Sequence, residues 1–118
     1  MPSYMFVYRS EPFDFSKMSP DQMQKSMELW TAWIGKGFQE GWLADAGDAL
    51  LPDGKVVNAA HMVTDGPFME ANEVVGGYGV VKAATYEEAI TYAKTCPHLV
   101  EGGRVEIRQM AGVGAPKE

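Results

Sequence analysis

Cysteine is nearly absent: Cys96 is the only one in 118 residues. A single thiol closes no internal disulfide and supports no structural thiolate metal site. That usage suits a reducing cytoplasm, which is the compartment expected. Long apolar runs are missing too, and the N-terminus MPSYMFVYRS has no charged region followed by an apolar one; neither a bilayer span nor a secretory leader is expected. Positive charge is in short supply. Ten Lys and Arg against sixteen Asp and Glu leave a net charge of −6 and a pI near 4.8. A nucleic-acid backbone would be repelled, and no basic run or basic amphipathic helix addresses a membrane surface. With two His and scattered acids, no metal set and no Ser-His-Asp arrangement can be assembled from spacing. No cofactor is expected.

Apolar residues, by contrast, make up 46 % of the chain, with three Trp, five Tyr, five Phe and eight Met. This is enough for one packed core, with large side chains to spare for a pocket or a subunit interface. Residues 1–111 are read as one domain and 112–118 as a flexible tail.

YMFVYR, Tyr4 to Arg9, is aromatic and β-branched and predicts a strand, followed by a loop through EPFDFSKM. Ser19, Pro20 and Gln22 then write a helix start with a capping box. Met23, Met27, Trp30, Ile34 and Phe38 follow at spacings of three and four, predicting the core face, and Gly41 ends the helix. WLADAGDALLPDGKVVNAAHMV reads as a hairpin turning at Pro52-Asp53-Gly54, with His61 mid-strand. EVVGGYGVVKAA is the next strand. Thr85 and Glu88 cap a second helix whose face is Tyr86, Ala89, Ile90 and Ala93, and Pro97 stops it. In GGRVEIRQM, Val105, Ile107 and Gln109 alternate with Arg104, Glu106, Arg108 and Met110.

The order β-α-β-β-β-α-β is an α+β, ferredoxin-like plan with an inserted strand: an antiparallel sheet with two helices on one face. The other face would be left open, with Glu106 and Arg108 upon it, and a homodimer is the simplest way to cover it and enclose a cavity.

SPDQMQKSMELWTAWIGKGFQEGWL, VTDGPFMEANEVVGGYGVV, EEAITYAKTCPHL and GGRVEIRQM together resemble the YCII-related family, in its DGPF branch, from Tyr4 to about Met110. The resemblance implies a dimeric α/β barrel of ferredoxin-like subunits. In YCII-type members a His on the first helix and an Asp near the end of the second suggest acid/base chemistry. The matching positions here are about Trp30 and Cys96, so that dyad is missing and its role is not carried over. The DGPF branch implies another polar set, Asp65, Glu73, His98 and Arg108, with Asn72 where the branch usually has Lys.

Asp65 is a candidate catalytic group, or the carboxylate that ties back to its own Asp-Gly-Pro turn. Phe68 is expected to anchor that loop on the core. His98 is the second catalytic candidate, since imidazole titrates near neutral pH; the alternative is a partner for helix C-terminal carbonyls. Cys96 is expected to be buried and inert. Glu106 and Arg108 would hold a polar ligand or pair with charged neighbours. Trp33, beside the core stripe, is a candidate cavity wall, and Tyr8 and Glu73 complete the ligand-binding set. The expected function is a small-molecule-binding or cofactor-independent enzymatic barrel with a polar cavity near the DGPF loop. The alternative is a regulatory or interaction module with a protein partner, which the resemblance links to sigma-factor-dependent transcription initiation without direct DNA contact.

Overall fold

A computed structural model of the chain describes residues 1–12 and 15–113; the expected tail lies outside the described residues from position 114 on. Alternation opens the fold. In β1, Ser3–Ser10, the residues Tyr4, Phe6 and Tyr8 are buried and their neighbours are not, as a strand with one face on a core requires. After a 3-10 turn at Phe15–Lys17 comes α1, Pro20–Glu40. Its capping box forms as expected: Ser19 Oγ accepts from Gln22 N, and Gln22 Oε1 accepts from Ser19 N. Gly41 ends it with φ 83°, a left-handed conformation that favours glycine.

The strands β2 (Leu43–Ala49), β5 (Val74–Lys82) and β6 (Arg104–Gln109) join β1 in an antiparallel sheet of order β2-β5-β1-β6. Helix α2, Tyr86–Ala93, and α3, Pro97–Val100, complete the α+β, ferredoxin-like plan. Between β2 and β5 the chain leaves this sheet. Strands β3, Gly54–Val57, and β4, Val63–Gly66, pair only with each other. The hairpin is therefore not the one expected. Pro52-Asp53 links two strands that do not pair, and the reversal falls at residues 58–62. There Asn58 Oδ1 accepts from Ala60 N and Met62 N, and His61 sits in the turn at φ 65°.

The core lies between the four-stranded sheet and α1 and α2. Tyr4, Phe6, Tyr8, Trp33, Trp42, Leu43, Val81, Ala89, Ala93 and Cys96 form one buried cluster. The buried line of α1 is Trp33 and Gly37, with Trp30 and Ile34 half-buried, whereas Met27 is 63 % exposed and Met23 and Phe38 also face water. The expected stripe was thus rotated off the true core face. Gly37 explains why: a Cβ there would stand 2.7 Å from Leu43 Cβ, so a missing side chain marks the closest approach. Phe68 does not anchor its loop; it is 81 % exposed.

Candidate functional site

At the end of the sheet where β2 finishes and β5 begins lies a cleft of about 780 Å³. One wall is sheet (Tyr8, Ala46 to Ala49, Val74 to Gly76, Tyr78), another is the α1 face of Ser26, Trp30 and Ile34, and His98 and Glu101 close it from α3 and the following residue.

Tyr8 is the centre of this arrangement, and β5 makes room for it. Gly77 lies opposite Tyr8 and Gly79 opposite Phe6. A Cβ on Gly77 would stand 3.3 Å from Tyr8 Cδ2, and one on Gly79 would stand 3.1 Å from the Tyr8 hydroxyl. The two glycines let the phenol lie close over the strand. Burial foremost, then Cys96, holds the phenol well above its ordinary pKa. It is a neutral group throughout the physiological range.

Trp30 meets Tyr8 edge to face, with ring centroids 5.2 Å apart. Trp30 Nε1 donates to Glu101 Oε1 at 2.8 Å, and Ser26 Oγ donates to Glu101 Oε2 at 2.7 Å. Both carboxylate oxygens are thereby fixed in direction while the charge is kept. His98 stands with its ring centroid 5.4 Å from that of Tyr8. Its Nε2 donates to the Arg9 carbonyl at 2.9 Å; a carbonyl only accepts, so the proton belongs on Nε2. Nδ1 is then the nitrogen left to exchange a proton.

Of the candidates read from the sequence, Tyr8, Glu73 and His98 line the cleft. Glu73 is paired with Arg104, whose Nε donates to both carboxylate oxygens at 3.0 Å. Trp33 is placed behind the wall, buried in the core with Nε1 donating to Thr95 Oγ1 at 2.9 Å. Asp65 lies on the separate hairpin, 87 % exposed, and takes an ion pair from Lys55 at 2.5 Å. Glu106 and Arg108 stand on the open face of the sheet, where Arg9 Nε donates to Glu106 at 2.6 Å. The Arg9 hydrogen bond is the first cause that holds the Glu106 carboxyl below its ordinary range. Asp65, His98 and Arg108 are therefore not brought together.

Cys96 does not close a helix, as expected, but caps the start of α3. It is inaccessible, and burial foremost pushes its thiol up to about 11. It is no nucleophile at neutral pH. Sequence reasoning missed Ser26 and Glu101, and assigned Trp30 to the core; Trp30 and Glu101 are 71 positions apart, and no local pattern links them. Among the described residues no three His, Cys, Asp or Glu side chains converge on a metal position.

The model of the YCII-related domain matches residues 15–111. The chain belongs to the YCII-related family. A comparison with curated proteins finds no match.

Proposed function

We propose that this YCII-related chain, of the DGPF branch, binds a small molecule in the cleft between α1 and the end of the sheet, and works without a cofactor as a cytoplasmic homodimer. The observation that carries the reading is the convergence of Tyr8, Trp30, His98 and Glu101 on one 780 Å³ space. Such a volume suits a metabolite-sized ligand, and its wall mixes aromatic surface with a few oriented polar groups. If the bound molecule reacts, His98 is the proton carrier, through Nδ1. The dimer is supported by the open sheet face, where Met5, Val7, Tyr78 and Val80 are only half-buried. Among the described residues no helix is long and apolar enough to cross a membrane.

A fragment screen by two-dimensional NMR tests the reading. Bound fragments should shift the Trp30 indole, the His98 ring and the Gly76 and Gly77 amides together. Shifts confined to the open face, or none at millimolar fragment, overturn it. The dimer should elute in light-scattering chromatography at twice the 12.9 kDa chain mass; a monomer mass overturns that part.

A second reading, a regulatory or interaction module linked to sigma-factor-dependent initiation without direct DNA contact, is favoured by the β3–β4 hairpin, which exposes Val57, Met62 and Val63. Deleting residues 55–65 would abolish a partner's binding on that reading and leave fragment binding intact on the first.

A further inference from the structure

The cleft carries a charge preference. No Lys or Arg side chain is among its described lining residues, whereas Glu11, Asp48, Glu73 and Glu101 are. Glu73 is neutralised by Arg104. The other three take part in none of the ion pairs among the described residues. Arg9, the cation nearest in sequence to Glu11, turns its side chain to the open face and spends it on Glu106.

Aromatic surface adds an independent preference of the same sign. Tyr8 and Trp30 line the same space, and indole and phenol rings attract cations through their negative faces. Glu101 lies beside Trp30, fixed by the indole N–H at 2.8 Å and the Ser26 hydroxyl at 2.7 Å. Those donors are neutral, so they orient the carboxylate and leave its charge for a ligand. A carboxylate or phosphate ligand would meet three acids and no cation.

We propose that the ligand is an organic ammonium: an amine with an apolar or aromatic body, whose body lies against Trp30 and Tyr8 and whose ammonium group faces Glu101. This rests on the cleft reading above and narrows it. It departs from the expectation of a polar ligand held by Glu106 and Arg108, which stand outside the cleft.

The experiment titrates the full-length protein with phenethylamine, its neutral analogue 2-phenylethanol and its anionic analogue 3-phenylpropionate, each followed by NMR at low salt. Phenethylamine should bind about tenfold more tightly than either, and the margin should shrink as salt is added. Glu101→Gln is the informative variant. The amide oxygen still accepts from Trp30, and the Ser26 hydroxyl can rotate to accept from the amide nitrogen, so the wall keeps its hydrogen bonds and loses only charge. It should weaken phenethylamine about fivefold and leave 2-phenylethanol unchanged. Equal or tighter binding of 3-phenylpropionate, or no loss in the variant, overturns the ammonium proposal while the cleft stands. If none of the three shifts any cleft resonance, the proposal and the cleft reading fall together.

Discussion

The ring of His98 occupies the space a side chain at residue 103 would need: a Cβ on Gly103 would stand 2.0 Å from Nε2. The same nitrogen donates to the Arg9 carbonyl, so the first turn into β6 and the orientation of a cleft residue are set by one missing methyl group. Gly103→Ala is expected to cost about 1–3 kcal/mol by overpacking and to break the Nε2 bond. In a His98→Ala background the same substitution should be close to neutral. A urea-denaturation double-mutant cycle checks both; additive costs would disprove the relationship.

Tyr8 and Gly79 are related in the same way across β1 and β5. Gly79→Ala should destabilise by about 1–3 kcal/mol, and Tyr8→Phe, which removes the atom 3.1 Å from the new Cβ, should recover part of that. The recovery is partial because the Asp45 carbonyl lies 3.4 Å away and does not move aside easily.

Cys96 makes the fold sensitive to alkali. Its thiol is raised from about 9 to about 11 by burial, so the folded chain holds a proton that the unfolded chain gives up first. The stabilisation is complete below about pH 9 and lost as pH rises through about 11. Two units correspond to roughly 2–3 kcal/mol. Urea midpoints at pH 8 and 10.5 should diverge for the native chain and diverge less for Cys96→Ala, with Tyr8 accounting for what remains. Ellman's reagent should react with Cys96 only on unfolding.

On the open face the sign reverses. Arg9 holds the Glu106 carboxyl below its ordinary range, so the pair contributes at neutral pH and the contribution is lost as pH falls through and below that range. Exposure keeps it small, about 0.2–1 kcal/mol. Carbon-detected NMR titration should return Glu106 toward an ordinary midpoint in Arg9→Met.

Asp65, the acid of the DGPF stretch, pairs with Lys55 in the open. Asp65→Asn should leave the thermal midpoint within error, since a solvated pair is worth little. Fragment binding in the cleft should be unchanged; a loss would place the hairpin in the site after all.

Local rules made the elements legible. Ser19 and Gln22, Gly41, and the alternation of Val105 and Ile107 against Glu106 each specify their structure within a few residues. The split βαβ plan followed from those elements in order. The α1 face was misjudged because Met23, Met27 and Phe38 keep a helical period, whereas the core contact is made by Gly37, a residue a hydrophobicity pattern cannot register. The cleft was half legible. Tyr8, Glu73 and His98 carried their own signals, but the Ser26–Glu101–Trp30 clamp depends on residues brought together by tertiary packing. Asp65 of the DGPF stretch lies on a hairpin apart from the main sheet.

That hairpin divides the chain into parts that need not change together. A two-stranded ladder is marginal by itself, so β3 and β4 are expected to open on their own while β1 and β5 stay paired. Lengthening, trimming or recolouring residues 55–65 leaves untouched the register that sets Tyr8 opposite Gly77. A lineage could therefore alter what this arm meets many times over without disturbing what the cleft holds.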